Sequence, residues 1–513
     1  MATTYQAPGV YVEEVDRGTK PIEGAGASTA AFIGVSDFAS FEGLVVEDDR
    51  MTFGESIVGK PKLIANWTQY LRHFGGLSED YYLPDAVFAH FNNGGGPCYV
   101  VSLRALQDSS ATGQAKAASV SVRATRGSSF VATASVTGRS GNQLSVQVST
   151  ADEKITIKVG SESKTFTAGS KEELAALRFS TVTISKIESG TPKDGTYSLE
   201  GGRDAGMVPV QPLTVKDVLG DPDERTGLMG LESIDEIRLL ACPDIMAGYE
   251  NTDEAKERVL GIQLQLIAHC ERLRYRFAIL DTPPGLNIEQ AKEWREKLTS
   301  DRGYAAIYYP WVKIPNINTG QGTKLVPPSG HIAGVYNRVD ADRGVHKAPA
   351  NEVMQGVIDV ERRISKEEQN TLNPVGVNCI RGFPSRGIRV WGARTLSTDG
   401  SWRYINVRRL FIFVEASMEI GLQWVVFEPN DRILWGKVRR DVTAFLRNVW
   451  RSGALFGASP SEAFYVKCDE ELNPPDVRDL GQLIIEVGMS PVKPVEFVIF
   501  RISQWAGPNA EVE

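Results

Sequence analysis

The sequence lacks any apolar run of the length that a membrane span needs. No stretch of its 513 residues approaches the roughly 20 consecutive apolar residues of a transmembrane helix. Residues 1–5 also lack the basic and apolar regions of a secretory signal. These absences predict a protein that does not insert into membranes, and the cysteine pattern described next predicts assembly in the cytoplasm.

Cysteine pairs and an excess of basic residues are missing as well. The cysteines are odd in number and contain no C-x-x-C pair, which predicts reduced, buried thiols rather than disulfides; they are Cys98, Cys242, Cys270, Cys379 and Cys468. Lys and Arg number 56 against 64 Asp and Glu, so the net charge is −8. A chain without a dominant basic field is a poor candidate for binding nucleic acid.

A complete nucleotide site is also absent. Gly54–Lys60 matches most of a phosphate-binding loop, but Pro61 stands where the loop needs a Ser or Thr hydroxyl. Phe277–Asp281 reads as a hydrophobic strand that ends in a carboxylate, the arrangement that reaches magnesium in P-loop ATPases. An ATPase that uses Asp281 is therefore the weaker alternative, and we expect Asp281 to cap the turn that follows it.

The sequence contains no convincing metal site. Asp340–Gly344 resembles the start of a calcium loop, but Asn351 occupies the position of the essential Glu. His331 and His346 have no partners at metal-ligand spacing. We expect no metal, no cofactor and no catalytic residue, and we expect Ser329 to cap the helix that contains His331.

Strands and helices alternate through the second half of the chain. Predicted strands at Ile237–Ala241, Arg276–Asp281 and Tyr304–Tyr309 are separated by predicted helices at Asp253–Leu273 and Ile288–Leu298. This order predicts parallel strands joined by right-handed crossovers. The fold class is therefore an α/β core with a mixed sheet and crossover helices, built from residues 21–107 and 207–490. Within it, Gln369–Gly400 is expected to be irregular apart from one strand at Ile388–Ala393.

Residues 108–206 interrupt this core with a different composition. The segment is rich in Ser, Thr, Ala and Gly, is poor in aromatic residues, and shows short alternating runs between glycine turns. The pattern predicts a small, mostly-β inserted domain with one short helix at Lys171–Leu177.

Both ends of the chain carry strand-like segments behind Gly- and Pro-rich stretches. We define an N-terminal arm, residues 1–20, and a C-terminal arm, residues 491–513. The strand residues are Val10, Tyr11, Val12, Val15, Val495, Phe497, Val498, Ile499, Phe500 and Ile502, and the predicted hinges are Gly18, Pro21, Gly488, Pro491 and Pro494. Each strand either adds to the sheet of another subunit or is an ordinary edge strand of its own sheet, and the residues alone leave both possibilities open.

A predicted helix near the C-terminus has one apolar and one basic face. Asn430 or Asp431 can cap its start, and its apolar face includes Val438, Val442 and Leu446. The basic face consists of Arg432, Lys437, Arg439, Arg440, Arg447 and Arg451.

Motifs spread in order along the chain resemble those of one family. They are Pro8–Glu14, Gly24–Gly34, Phe91–Val101, Pro327–Asn351, Asn406–Leu410 and Trp450–Phe456. Together they resemble the tail sheath proteins of contractile phage tails and related contractile injection systems. Residues 109–206 match no motif, and in this family that position holds variable inserted domains that face outward.

The resemblance implies a structural subunit that polymerises as stacked six-fold rings around an inner tube. Contraction of the polymer drives the tube through a target envelope, and exchanged terminal strands keep the subunits connected. The implied partners are further copies of the chain, the inner tube protein, and baseplate and terminal cap proteins. The basic helix face either lies against an acidic tube or is a solvated surface, and the residues leave both possibilities open. A tail-tube or adhesin subunit is the third class, and the resemblance leaves open whether the particle is a phage or a bacterial injection device.

Overall fold

The computed structural model describes residues 22–40, 44–47, 50–53, 56–106, 117–124, 128–137, 144–151, 154–160, 162–179, 181–187, 191–199 and 211–501. The strands are β1 (Ala30–Ser36), β2 (Leu44–Glu47), β3 (Arg50–Phe53), β4 (Lys62–Ile64), β5 (Cys98–Ala105), β6 (Ala117–Arg123), β7 (Ser128–Thr137), β8 (Ser145–Ala151), β9 (Lys154–Val159), β10 (Glu162–Thr167), β11 (Val182–Ser185), β12 (Gly195–Ser198), β13 (Leu239–Ala241), β14 (Phe277–Asp281), β15 (Ala305–Tyr309), β16 (Val312–Pro315), β17 (Thr323–Val326), β18 (Glu352–Val353), β19 (Asp359–Val360), β20 (Val377–Phe383), β21 (Gly387–Trp391), β22 (Phe464–Lys467) and β23 (Glu486–Met489).

The helices are α1 (Trp67–Phe74), α2 (Leu83–Asn92), α3 (Lys171–Ala176), α4 (Val215–Leu219), α5 (Gly227–Gly230), α6 (Asp253–Leu273), α7 (Ile288–Glu296), α8 (Ser329–Arg343), α9 (Lys366–Leu372), α10 (Ile405–Gly421), α11 (Arg432–Arg451), α12 (Pro460–Ala463) and α13 (Pro475–Asp479). Short 3-10 turns lie at Leu231–Ser233, Pro243–Met246 and Gln423–Val425.

A nine-stranded mixed sheet forms the body of the molecule. Its order is β18-β21-β20-β15-β14-β13-β1-β5-β4. The six strands from β20 to β5 run parallel, and the antiparallel strands β4, β21 and β18 lie towards its edges. The prediction of an α/β core with a mixed sheet is confirmed, and the predicted order of strands and helices from Ile237 to Tyr309 is the observed one.

Helix α6 covers the middle of this sheet and begins where the sequence predicts. The Thr252 side chain accepts a hydrogen bond from the Ala255 N–H and so caps the helix. The sequence spacing predicts an apolar face that includes Val259, Leu264 and Ile267. Val259 and Ile267 are buried, but Leu264 is exposed, and Ile262 and Leu266 complete the buried face instead.

The expectation of an irregular stretch at Gln369–Gly400 is wrong. This stretch contains β20 and β21, an antiparallel pair, and β20 also pairs in parallel with β15. Gly376 (φ +87°) and Gly387 (φ +75°) lie where the two strands begin, whereas Gly382 lies within β20. Glycine therefore marks the ends of these strands rather than irregular backbone throughout, and the second partner of β20, β15, is distant in sequence.

Two glycines bring α8 into close contact with α2. A methyl group at Gly330 would lie 2.4 Å from the Ala86 Cα, and one at Gly334 would lie 2.5 Å from the His90 carbonyl oxygen. Only residues without side chains permit this approach. The central motif of the sequence therefore has a packing role.

Residues between 117 and 199 form two further sheets, of order β10-β9-β8-β12 and β11-β7-β6, with the short helix α3. Their apolar side chains make a cluster separate from the main core. The proposed boundaries near 108 and 206 lie outside the described residues. On the body, Arg104 donates to the Gln211 carbonyl at 3.0 Å and pairs with Asp217, so the chain leaves and re-enters the body at neighbouring points.

The described helices include none that is both long and apolar enough to cross a membrane. All five cysteines are buried free thiols, as the sequence predicted.

Candidate assembly surface at the carboxyl-terminal end

Helices α10 and α11 build a second apolar core that supports the C-terminal end of the chain. The Asp431 carboxylate accepts from the Leu434 N–H at 2.8 Å and caps α11. The helix then buries a stripe at helical spacing, which comprises Leu434, Trp435, Val438, Val442, Phe445, Leu446 and Val449. This apolar face matches the predicted one and leaves the basic face of α11 outward.

An ion pair joins this second core to the body. Arg409 on α10 donates from Nη1 to Asp340 Oδ1 on α8 at 3.0 Å, and Nη2 also donates to the Ala27 carbonyl at 3.0 Å. Both charged side chains are buried. Removing either partner would leave an uncompensated buried charge, so this pair fixes how the C-terminal elements sit on the body.

Strands β22 and β23 form a two-stranded antiparallel sheet beside α11. Within the described residues neither strand pairs with a third, so each has an outer edge of unpaired backbone groups. Gly488 lies inside β23 opposite Tyr465, and a methyl group there would lie 2.1 Å from the Tyr465 ring. Gly488 makes room for the aromatic ring in the single chain, and its role as a hinge stays a prediction.

The chain leaves this sheet along a fixed path. Pro491 forms an isolated antiparallel β-bridge with Leu455, and the Val492 N–H donates to the Ala454 carbonyl at 3.2 Å. Pro491 is thus held in place in the single chain, and its role as a hinge stays a prediction. Pro494 lies beyond these contacts, at the last predicted hinge position.

Glu496 fastens the chain once more to the body. Its carboxylate accepts from Arg394 Nε at 3.0 Å and from the Tyr404 hydroxyl at 3.3 Å. Both members of the ion pair are largely buried, at 11% and 14% exposure. The Arg394 backbone N–H is in turn held by Asn378 at 2.7 Å. We call this arrangement the Arg394–Glu496 clamp.

After Glu496 the chain forms no β-ladder with any strand of the described structure. Val495 and residues 497–501 pair with no strand, although their composition is that of a strand. Phe497, Val498, Ile499 and Phe500 are between 70% and 82% exposed. Such a contiguous exposed apolar segment marks an interaction site in a folded protein. Ile502 lies outside the described residues.

The six basic residues of α11 fall into two groups. Arg432 pairs with Glu470, and Arg439 donates to the Cys468 carbonyl at 3.3 Å, so both are used within the chain. The other four follow one another at a spacing of three to seven residues along one exposed side of the helix; we call them the basic row, Lys437, Arg440, Arg447 and Arg451. Arg440 also contacts the buried Asp441 at 3.2 Å.

The N-terminal site residues cannot be placed. Val10, Tyr11, Val12 and Val15, with Gly18 and Pro21, lie outside the described residues. Their predicted role in strand exchange stays a prediction.

Asp281 has a structural partner that explains its position. The buried carboxylate accepts from the Ser329 N–H at 2.8 Å, at the first turn of α8. Burial raises its pKa to about 7, and the bond from Ser329 opposes that rise. Asp281 therefore caps a helix 48 residues away, not the turn that follows it, and Ser329 is the first helical residue rather than the cap.

The phosphate-loop resemblance fails on geometry. Lys60 and Pro61 are followed at once by strand β4, whereas a phosphate-binding loop leads into a helix. No group of three or more potential metal ligands occurs in the part of the chain that the structure describes.

A second buried carboxylate, Asp244, was not anticipated from the sequence. It accepts from the N–H groups of Val35 at 2.6 Å and Leu83 at 3.1 Å, and burial raises its pKa to about 7. Asp244 thereby joins the end of β1 to the start of α2 beside β13, a structural role that the Pro243-Asp244 sequence does not signal.

Comparison with protein families decides the relationship. The family model described as the phage tail sheath protein central domain matches residues 234–396, and the phage tail sheath C-terminal domain matches residues 397–504. The two adjacent matches span more than half of the chain. The chain belongs to the phage tail sheath family.

Individual sheath proteins are similar along much of the chain. The tail sheath protein of Burkholderia phage BcepMu is 25% identical over 342 residues, which are 62% of this chain and 67% of that protein. The tail sheath protein of Vibrio phage KVP40 is 22% identical over 340 residues, 61% of this chain and 47% of that protein. The chain therefore spans about two thirds of the first relative and about half of the second.

Solved sheath structures share the fold over nearly the whole chain. The helical sheath of the anti-feeding prophage in its contracted state matches with a TM-score of 0.59 at 26% identity, over 98% of this chain and 100% of that one. The contracted sheath complex of the extracellular contractile injection system PVC matches with a TM-score of 0.57 at 23% identity, over 98% and 99% of the two chains. Tail sheath membership thus holds for sequence and fold together.

Proposed function

We propose that this sheath protein polymerises as stacked six-fold rings around an inner tube and contracts to drive that tube through a target envelope. Family membership and the similarity to sheaths of contractile particles support this proposal. Its partners are further copies of the chain, the inner tube protein, and baseplate and cap proteins. Assembly takes place in the cytoplasm, and the finished sheath is part of a phage tail or a phage-tail-like injection particle.

The observation that carries the proposal is the exposed segment after the Arg394–Glu496 clamp. Residues 497–501 have the composition of a strand but lack a ladder partner in the described structure. A free edge as apolar as this one favours aggregation in a lone subunit and so calls for a partner. We assign that partner to the sheet of another subunit, and we assign the same role to the N-terminal arm with Val10–Val15.

The open edges of β22 and β23 are the acceptors in this proposal. A two-stranded sheet is marginal by itself, and added strands complete it. One outer edge is available on each strand. One sheet can therefore receive two arms, which connects each subunit to neighbours through backbone hydrogen bonds.

Strand addition is suited to a polymer that changes its packing. Each arm is held by backbone hydrogen bonds, which do not depend on the side-chain contacts between subunit bodies. The connections therefore persist while those contacts are replaced. The clamp fixes the base of the C-terminal arm to the body. Rotation of subunits is then absorbed beyond Glu496 and in the N-terminal stretch around Gly18 and Pro21. The work of contraction comes from the difference in packing between the two states, without nucleotide hydrolysis.

The basic row of α11 faces the inner tube in this proposal. Lys437, Arg447 and Arg451 form no ion pair within the described residues, and all three are exposed. Charges arranged in a row orient a partner of opposite sign and set its register. The region between 117 and 199, with its separate core, lies on the outer surface of the sheath.

An ATPase is not favoured, because Asp281 is buried against α8 and strand β4 replaces the required helix. Electron microscopy of the purified protein tests the proposed function directly. Long ribbed cylinders, formed alone or on added tubes, are the expected result. A discrete soluble particle at every concentration and in the presence of tube protein would contradict it.

A further inference from the structure

The loop between α10 and α11 presents an aromatic side chain that no described residue covers. Phe427 is fully exposed. The adjacent Val426 is 63% exposed, and Ile433, in the first turn of α11, is 69% exposed. The backbone of Phe427 has φ +69°, a left-handed conformation that bulky residues rarely adopt. Backbone strain of this kind is concentrated at functional positions.

Both sides of this loop are held in place. Trp424 and Val425 pack against the second apolar core. On the other side, the Asn430 side chain donates to the Gln482 carbonyl at 2.8 Å and accepts from Trp435 Nε1 at 2.7 Å. Phe427 is therefore an exposed ring on a fixed support, which lowers the entropic cost of inserting it into a partner.

Strand exchange does not account for Phe427. The other exposed phenylalanines described at this end of the protein are Phe456, Phe497 and Phe500. Phe497 and Phe500 lie on the terminal segment, and the Phe456 backbone N–H donates to the Ser490 carbonyl beside the β22–β23 sheet. Phe427 lies on a loop that contributes to no strand. A different contact must use it.

The charge pattern next to this loop indicates the partner. Ile433 stands four residues before Lys437 and seven before Arg440, so it continues the basic row towards the start of α11. The apolar loop and the basic row thus adjoin at one end of the helix. A partner surface that is complementary to the apolar loop and to the basic row has an apolar depression bordered by carboxylates.

We propose that Phe427 is the apolar anchor of the contact between sheath and tube, seated in such a depression on the outer face of the inner tube. This inference rests on the proposed function, which places the basic row against the tube. Interfaces commonly derive most of their affinity from a few buried aromatic side chains, while surrounding charges set orientation and encounter rate.

The test measures binding of the full-length subunit to preformed tubes of purified tube protein, at low and high salt. Phe427→Asn removes the ring, and Asn tolerates the left-handed backbone, so thermal stability is expected to stay equal or to rise. Tube binding is expected to weaken about ten-fold or more at both salt concentrations. Ile317→Asn, at another exposed apolar position (52%), is the matched control and leaves binding unchanged.

A second variant separates the anchor from the proposed function. Arg447→Glu with Arg451→Glu is expected to weaken tube binding mainly at low salt. Normal tube binding by Phe427→Asn beside weakened binding by the charge variant overturns the anchor alone. Normal binding by both overturns the tube-facing helix itself. Loss of tube-free polymerisation with intact tube binding in Phe427→Asn would assign the ring to a contact between copies of the chain and would also overturn the proposal.

Discussion

Strand β14 and the terminal segment are both mainly apolar, but one is buried in a sheet and the other is exposed. Phe277–Asp281 is a central strand of the nine-stranded sheet, and all five of its residues are buried. Val495–Phe500 is richer than β14 in β-branched and aromatic residues, yet five of these six residues are at least 70% exposed and none pairs with a strand. Composition thus specifies a readiness to pair, and the availability of an edge decides whether pairing occurs within one chain.

The two segments also differ in how their ends are held. The end of β14 is tied into its own fold, because the Asp281 carboxylate binds the first turn of α8. The terminal segment is tied only at its base, through Glu496 and Arg394. A segment that is fixed at its base and unpaired beyond it can pair with a second subunit while it stays attached to the body of its own subunit.

Proline substitution should separate the two segments most strongly. Ile279→Pro removes a ladder bond in a buried central strand and should lower the free energy of unfolding by about 3 kcal/mol or more. Val498→Pro should change that free energy by no more than about 0.5 kcal/mol, as expected of an exposed site, yet abolish polymerisation. Thermal unfolding and electron microscopy of the same samples measure both effects.

Removal of residues 1–17 should behave as Val498→Pro does. If either terminal change lowered stability together with polymerisation, the strands would belong to their own sheet. The exchange proposal would then be wrong.

Two pairs of arginines on α11, one in contact with other elements of the chain and one in the basic row, allow a finer comparison within one helix. Arg447→Glu with Arg451→Glu reverses part of the basic row and should weaken tube-templated assembly at low salt more than at high salt. Arg432→Glu with Arg439→Glu carries the same change in net charge on residues used within the chain, and it should cost stability rather than tube binding. Equal tube binding by both double variants at low salt would remove the basis for a tube-facing row.

Asp281 tests whether the buried end of β14 has only a structural role. Its folded-state pKa of about 7 lies above the value of about 4 for an unfolded Asp, so the folded state holds the proton between these values. Its contribution to stability is therefore complete below about pH 4 and is lost as pH rises towards 7, by at most about 4 kcal/mol.

Asp281→Asn should remove this pH dependence, because an amide does not titrate. It should leave assembly and contraction intact, because the amide oxygen can still accept from the Ser329 N–H. Denaturant unfolding of both proteins from pH 5 to pH 8 measures the difference. ATP turnover that disappears in the variant would contradict a structural role.

The inserted region should show the smallest effect. Replacing residues 109–206 by a Gly/Ser linker should leave polymerisation unchanged, because Arg104 and Gln211 already meet on the body. Sedimentation of the shortened protein measures polymer formation, and circular dichroism checks its fold. A folded but non-polymerising variant would place this region in the assembly contacts.

Regular periodicity made much of the body predictable. The bounds of α6 and the order of strands around it follow from local apolar spacing and end signals. The sheet order was not predictable, because β20 reaches its place in the sheet by pairing with β15, about 70 residues away in sequence. The strand itself was missed because Gly376, Gly382 and Gly387 indicated an irregular backbone there. The stripe on α6 was misplaced because Gln263 is buried through hydrogen bonds to Asp281 and Trp294, which no apolar pattern records.

The assembly surface was predictable only in part. An apolar chain end and a basic helix face are visible in the sequence, and α11 buries the expected side. The clamp joins Arg394 to Glu496 across 102 residues, so only the fold brings the two together. Phe427 escaped notice because a single Phe ordinarily indicates a core position. The contact between Gly488 and the Tyr465 ring was not predictable either, because the two residues are paired only by the fold.

Crosslinking between unlike subunits tests the central claim most directly. One subunit carries Tyr465→Cys on β22 and a second, distinguishable by size, carries Phe500→Cys, while the five native thiols stay buried. A short bismaleimide added to the mixed polymer should join one chain of each kind, and the same reagent should join none in the unassembled mixture. An intrachain link in the isolated double variant, with no link between unlike chains in the polymer, would contradict strand exchange.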